Sequence, residues 1–513
     1  MYCATLLLLA LGAAAQQYAG DVIGASLPTV DGAEVAFFKI NDPSGKNNNL
    51  TLINYYGLGS NYQRIDTNNI QRAVITIHGL LRDPNNYFND TRNALIKATA
   101  EDGNINSDSV AIMAPFFPNG DDKGYGYPWT DGVSPGEGST SNALVWAGSQ
   151  WSKGANNQYP TSSTDTSSFY VLDQIIQYFN DATTFPNLHQ IVLVGHSMGG
   201  QMLQRYAAVG DNLNTRVPVT YWVGNPNSYS WLSPYRPLNT SDCATFDDYS
   251  AGYTAYEDYG KGGMTYGLPI VQQGIDAVRT NYDSKQIAYA RALLDHGDHS
   301  SGEGCAPYSS GNDRHERFFY FIRWFPARCP DPSSANCDTV DLINVSHDNG
   351  QMFGSDAGLA RLFKDNFYGD NSRAYDFGYP RQQDGDCPYP DPSQSTVPST
   401  PALANENVYA GNMTYAGCYT DQEPVTPAAL PSLMYDDAGN SIEGCTNACN
   451  DNGFSIAGMM NGTQCLCGNA LNGASAVTIV DSACRTVCPG NVNEVCGANQ
   501  RLSVYSNGTP AFY

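Results

Sequence analysis

Gln190-Ile191-Val192-Leu193-Val194-Gly195-His196-Ser197-Met198-Gly199-Gly200-Gln201-Met202-Leu203-Gln204 runs from an apolar strand, through a glycine-flanked serine, into a helix. Ile191–Val194 reads as a strand buried on both faces. Gly195-His196-Ser197-Met198-Gly199 has the form G-x-S-x-G, as does Gly132-Val133-Ser134-Pro135-Gly136. The pattern alone arises easily by chance, and at Ser197 the strand before it and the helix after it make it specific. A turn this sharp strains the backbone at Ser197 and lifts its hydroxyl clear of the sheet. Glycine at 195 and 199 avoids Cβ clashes there. The helix N-terminus then aims backbone N–H groups at developing negative charge. Ser197 is therefore the candidate nucleophile.

Outward from this point, further apolar runs predict strands: Ala73–Ile77, Ser109–Ala114, Val217–Val223, Gln286–Ala292 and Val340–Val345, with an N-terminal antiparallel pair at Glu34–Ile40 and Leu50–Tyr56. Asp90–Ala100, Ser168–Thr183 and Met202–Val209 read as helices between them. Strand–helix alternation predicts an α/β fold with a mainly parallel sheet covered on both faces. The Tyr-, Gly- and Asp-rich stretch of about 225–284 has no clear strand. It is read as a cap insertion over the C-terminal edge of the sheet, against the alternative of an excursion packed on its side.

A serine nucleophile needs a base, and the base needs an orienting carboxylate. After a strand–elbow–helix serine the chain order is Ser, acid, His. His347 follows the last strand in Val345-Ser346-His347-Asp348-Asn349-Gly350 and is the expected base. His315 lies among charges and reads as solvated. The loop after Gln286–Leu294 offers Asp295, at the strand end, with Asp298 as the alternative acid. The oxyanion hole is expected from the backbone N–H groups of Met198 and of Leu80, which follows Ile75-Thr76-Ile77-His78-Gly79. His78 reads as a packing residue under that loop. Arg82 could hold a substrate carboxylate or a structural acid. Trp146 and Trp151 are pocket candidates that could equally be core. Activity is expected to fall as His347 protonates.

These segments together resemble the α/β-hydrolase superfamily, and more closely a group of secreted fungal and bacterial α/β hydrolases. The resemblance covers most of residues 30–385 and implies a serine hydrolase; the sequence indicates no metal and no organic cofactor. The loop reads His-Gly-Leu-Leu, which departs from the hormone-sensitive-lipase branch.

The 513 residues predict more than one domain. Acids outnumber bases 50 to 26 and the net charge is −24, which argues against nucleic acid and anionic membrane surfaces as partners. The apolar run at 5–11 before Ala13-Ala14-Ala15 reads as a signal peptide over 1–15, so the chain is expected to be secreted, extracellular or cell-wall associated. It is too short for a membrane span. Residues 16–390 form the expected hydrolase domain, 391–408 a Pro/Ser/Thr linker, and 409–507 a second domain. Sequons at Asn49, Asn89, Asn239, Asn412, Asn461 and Asn507 are glycosylation candidates. A seventh, at Asn344, is expected to be empty because it lies three residues from His347.

In the hydrolase domain Cys329–Cys337 is an expected local bridge. Cys243–Cys305 would pin the insertion near the acid loop, and Cys387 is left over. The second domain carries Cys418, Cys445, Cys449, Cys465, Cys467, Cys484, Cys488 and Cys496. This density predicts disulfides, with zinc as the rival reading. The cysteine pattern, with Ala416-Gly417-Cys418-Tyr419, Gln464-Cys465-Leu466-Cys467-Gly468 and Cys488-Pro489-Gly490-Asn491, resembles the WSC domain. That resemblance implies binding of cell-wall glucan or xylan. The module has no Trp, so Tyr415, Tyr419, Tyr435, Phe454 and Tyr505 would have to supply sugar-stacking faces. The reading that joins both halves is a secreted carboxylic-ester hydrolase with an ester substrate, held near polysaccharide. The alternatives are a non-catalytic carbohydrate-binding protein on a hydrolase scaffold and an amidase or peptidase with the same triad.

Overall fold

The apolar runs pair as one nine-stranded sheet: β1 (Gln17–Ala19), β2 (Ala33–Ile40), β3 (Leu50–Gly57), β4 (Arg72–Ile77), β5 (Val110–Pro115), β6 (Gln190–His196), β7 (Val219–Gly224), β8 (Gln286–Ala292) and β9 (Thr339–Ile343). A computed structural model describes residues 17–19, 27–122, 142–374 and 408–512, apart from 242, 261, 296, 298–303, 331–335, 422–427, 474, 477, 480–483, 485 and 499. The signal segment 1–15, Asp298, Cys387 and residues 391–407 of the linker lie outside the described residues. The chain divides into two compact units at residue 392.

The sheet order is β1-β2-β3-β5-β4-β6-β7-β8-β9. β1 to β3 pair antiparallel, as β3 does with β5, and every pair from β5 through β9 is parallel. The chain steps from β4 out to β5 and returns to the other side of β4 as β6. This reversal opens a crevice at the carboxyl ends of β4 and β6, where parallel sheets place their sites. The topology is that of an α/β-hydrolase fold.

The central strands bury both faces because alternate side chains enter opposite layers. Ile191 and Leu193 of β6, with Ile75 and Ile77 of β4, join a core cluster with α2 (Ser168–Asn180) and α3 (Met198–Val209). Val192, Val194, Val74 and Trp222 face a second cluster with α1 (Pro84–Glu101). The insertion after β7 holds short helices α4 (Leu268–Val271) and α5 (Ile275–Asp283). Much of it packs on the helical layer: Tyr266 Oη donates to Asp173 of α2 (3.0 Å), and Tyr249 Oη donates to the Lys153 carbonyl (2.6 Å). Its opening residues turn toward the acid loop. α6 (Arg314–Trp324), which the sequence reading did not anticipate, follows that loop, and α7 (Asn349–Phe353) follows β9. Disulfides Cys243–Cys305 and Cys329–Cys337 staple this unit.

In the second unit β10 (Thr414–Thr420), β11 (Ser432–Asp436), β12 (Ile456–Met460), β13 (Gln464–Gly468), β14 (Thr478–Ile479) and β17 (Arg501–Ser506) form an antiparallel sheet; β15 (Val487–Cys488) pairs with β16 (Asn491–Val495). Cys445 and Cys449 share one face of helix α8 (Ile442–Asp451), four residues apart. Cys465 and Cys467 share one face of β13. The two faces meet in bridges Cys445–Cys465 and Cys449–Cys467. Cys418–Cys484 and Cys488–Cys496 complete the set. The close sulfurs of Cys445, Cys449 and Cys465 are thus in disulfides, not thiolates for zinc. Among the described residues no helix is long and apolar enough to cross a membrane.

Candidate active site

Ser197 ends the β6 turn with φ +58° and ψ −119° and caps α3. Positive φ at a side-chain-bearing residue is strained and needs surrounding support. That support is visible: Ser197 N donates to the Gly224 carbonyl (2.9 Å), and Gln201 N donates back to the Ser197 carbonyl (3.1 Å). A Cβ on Gly195 would stand 2.3 Å from the Gly199 carbonyl oxygen, and one on Gly199 2.4 Å from that of Ile77. The bend therefore admits only glycine at both sites.

The loop after β4 lies against the elbow because Ile77 is in register with Gly195. A Cβ built on Gly79 would be 3.7 Å from Ser197 Cβ, which places the backbone of Gly79 and Leu80 alongside the serine. The Leu80 side chain is exposed. Met198 opens α3, where the first amides have no acceptor within the helix. His78 is buried beneath this loop: its Nε2 accepts from Phe117 N (3.0 Å), and burial pushes its pKa down to about 3. Arg82, with φ +55°, gives Nε to Asp122 (2.8 Å) and Nη1 to the Leu80 carbonyl (2.9 Å). Its charge is thus committed to a structural acid and to the loop. Trp146 and Trp151 have no exposed surface; Trp151 packs on His78 (ring centroids 4.6 Å). Both are core, set under the loop.

Across the crevice Asp295 is buried and His347 is partly exposed. Asp295 Oδ2 accepts from His347 Nδ1 at 2.7 Å. Burial alone would raise the Asp295 pKa. The hydrogen bond and charge of His347, with Arg291 and Arg314, instead hold it well below the usual carboxylate range. Arg291 donates to the Asp295 carbonyl, and its Nη1 lies 3.7 Å from Oδ2. The imidazole of His347 lies on that of His196 (centroids 4.5 Å), one residue before Ser197. His196 is buried; burial and the neighbouring His347 keep its pKa well down. Tyr87 Oη stands 3.4 Å from its Nδ1 and Asn225 Nδ2 3.4 Å from its Nε2. Among the described residues no hydrogen bond joins Ser197 Oγ to His347; such contacts commonly tighten only around a bound substrate.

Arg314 was missed by the sequence reading. Its Nη1 is 3.0 Å from His347 Nδ1 and 3.3 Å from Asp295 Oδ1. The signal was present: Asp313 and Glu316 stand at capping-box spacing, and Asp313 accepts from Glu316 N (2.8 Å). The charged run is a helix start, with His315 in its first turn.

In the second unit Tyr419 and Tyr505 are buried in the core, which removes them as sugar-stacking faces. Tyr415, Tyr435 and Phe454 remain partly exposed. The six glycosylation candidates, Asn49, Asn89, Asn239, Asn412, Asn461 and Asn507, are all exposed.

The fold and these clusters define a hydrolase-like α/β domain joined to a small disulfide-rich module. Residues 415–498 match the WSC domain family, and the chain carries that domain at its C-terminal end. The same region is 34% identical over 100 residues to a WSC domain-containing protein of Arthroderma benhamiae, covering 19% of this chain and 11% of that protein. It is 32% identical over 94 residues to cell wall integrity and stress response component 3 of Saccharomyces cerevisiae, covering 18% and 16%. The chain thus matches only a small share of these relatives' lengths. Among solved structures, a poly(3-hydroxybutyrate) depolymerase from Bordetella parapertussis aligns with 15% identity and a TM-score of 0.39, covering 64% of this chain and 88% of that one.

Proposed function

We propose that the chain is a secreted serine hydrolase of carboxylic esters, working through an acyl-enzyme and held near cell-wall or plant polysaccharide by its WSC domain. The observation that carries the reading is a serine on a strained elbow, next in the chain to His196, whose ring packs on the imidazole of His347, itself hydrogen-bonded to the buried Asp295. In this reading Ser197 Oγ attacks the ester carbonyl while His347 Nε2 takes its proton. Asp295 keeps Nδ1 as the donor face and stabilises the imidazolium. The amides of Leu80 and Met198 receive the oxyanion. Collapse expels the alkoxide, which takes the proton from His347, and leaves an acyl group on Ser197. Water then attacks, gives a proton to His347, and the acid departs as Oγ is reprotonated. The exposed sequons fit a secreted glycoprotein, and the likeness to a cell-wall component fits attachment to polysaccharide. Tethering raises the effective substrate concentration without changing the chemistry.

A fluorophosphonate probe tests the reading. Stoichiometric labelling of the full chain, lost in Ser197→Ala, supports it; folded protein that takes up no probe refutes it. A panel of aryl esters, acyl chains of graded length and peptides then separates ester from amide hydrolysis.

A further inference from the structure

Arg314 places a positive charge against both members of the Asp295–His347 pair. Its Nη1 lies 3.0 Å from His347 Nδ1, and 3.3 and 3.4 Å from the two Asp295 carboxylate oxygens. One ring nitrogen cannot serve both neighbours. The shorter, charge-matched contact to Asp295 at 2.7 Å assigns the Nδ1 proton to the carboxylate. Arg314 therefore stands beside His347 Nδ1 as a positive charge to which that nitrogen offers no lone pair.

The guanidinium is fixed in that place. Its Nε donates to Asn227 Oδ1 (3.2 Å), at the start of the insertion, and Arg317 Nη1 donates to the same Asn227 oxygen (3.1 Å). The acid loop crosses it so closely that a Cβ on Gly297 would fall 2.9 Å from Arg314 Cδ. Among the described residues, the other charged or titratable groups around His347 are Asp295, with Arg291 behind it, His196 at the end of β6, Asp348 next in the chain, and Asp90 of α1, which accepts from Asn349.

We propose that Arg314 is a positioning residue: it holds the Asp295 carboxylate in place for His347 and opposes protonation of the imidazole, extending the acid side of the site's working range. The proposal rests on the serine-hydrolase reading above. Two effects act with the same sign. A cation against the ring disfavours imidazolium directly. A cation sharing the carboxylate also weakens the pull of Asp295 on the imidazolium proton. His196, buried and neutral, adds no charge in this range. Arg291 still holds Asp295 ionised when Arg314 is changed, so loss of Arg314 leaves the pair intact but its charge unbalanced.

The test is the rate of fluorophosphonate inactivation of the full chain across pH 4–9, which needs no knowledge of the substrate. Arg314→Gln is expected to move the acid limb upward by roughly one pH unit. The rate then falls about tenfold below the limb and changes little above pH 8. Arg314→Lys keeps the charge and is expected to leave the limb near its wild-type position, even if it is slower throughout. Circular dichroism confirms that each variant is folded. A folded Arg314→Gln chain with an unmoved limb, or one slowed equally at every pH, overturns the proposal. So does a limb that moves as far in Arg314→Lys as in Arg314→Gln. A wild-type chain that takes up no probe overturns the serine-hydrolase reading itself, and this inference falls with it.

Discussion

At position 199 the elbow has no slack. A Cβ there would meet two carbonyl oxygens of the neighbouring strand end, those of Ile77 at 2.4 Å and His78 at 2.8 Å. Neither is a flexible side-chain tip, so the strand end or the serine must move. Gly199→Ala is expected to cost about 1–3 kcal/mol of stability and to slow probe labelling more than the stability loss accounts for, because the displaced element carries the loop proposed to receive the oxyanion. A variant with wild-type labelling would show that the elbow is looser than its contacts imply. Asp295→Asn poses a different question. It preserves shape but leaves His347 Nδ1 facing an amide, which favours the wrong tautomer. The labelling rate is expected to fall by roughly 10³–10⁴ with little change in melting temperature. A small loss would hand the role of acid to another carboxylate, and Asp298→Asn would then be the informative comparison.

Helices α2 and α3 and the insertion meet at a buried carboxylate whose titration links pH to stability. Asp173 Oδ1 accepts from Tyr206 Oη (2.6 Å) and Tyr266 Oη (3.0 Å), yet burial pushes its pKa up to about 7 from an ordinary 3.8. The folded chain thus binds this proton more tightly than the unfolded chain. The contribution is complete below about pH 4 and is lost as pH rises toward 7. Asp338, at the start of β9, behaves alike, with a pKa also raised to about 7 by burial. The buried histidines His78 and His196 act oppositely: their lowered values cost stability as pH falls below 6.5. The opposing slopes mute the overall profile, so the test is a difference. Asp173→Asn keeps the acceptor for both tyrosines and is expected to gain in melting temperature relative to wild type as pH rises from 4 to 7. A constant difference across that range would place the protonated form of Asp173 elsewhere. The same scale shows what the sequence could convey. β4 and β6 were legible because a strand buried on both faces is an unbroken apolar run, and the meeting of Asp295 with His347 because each lies just beyond one of the last two such runs. α6 was hidden by its charged opening, Arg314-His315-Glu316-Arg317, which reads as solvent-facing until Asp313 is recognised as its cap. Packing of the insertion on α2 depends on Tyr266 reaching Asp173, 93 residues away in sequence, and no local pattern encodes that distance.

Across the whole molecule the two units are stabilised differently, and that difference makes their roles separable. The first has a two-layer core around a nine-stranded sheet, whereas the second is small and has cysteines in its main buried cluster. A core of that size needs covalent staples. Removing the bridge between α8 and β13 with the double variant Cys445→Ala, Cys465→Ala is expected to cost the module about 2–4 kcal/mol. Ser197 lies in the other unit, so its probe labelling should keep its wild-type rate. If the module is the polysaccharide anchor, the same variant should lose retention on insoluble glucan or xylan while still hydrolysing small soluble esters. Retention unchanged after the module has melted would move the anchor elsewhere in the chain. Labelling that disappears together with the module would mean that the two units do not work independently, and the tethering argument would have to give way to one in which the WSC domain helps build the site.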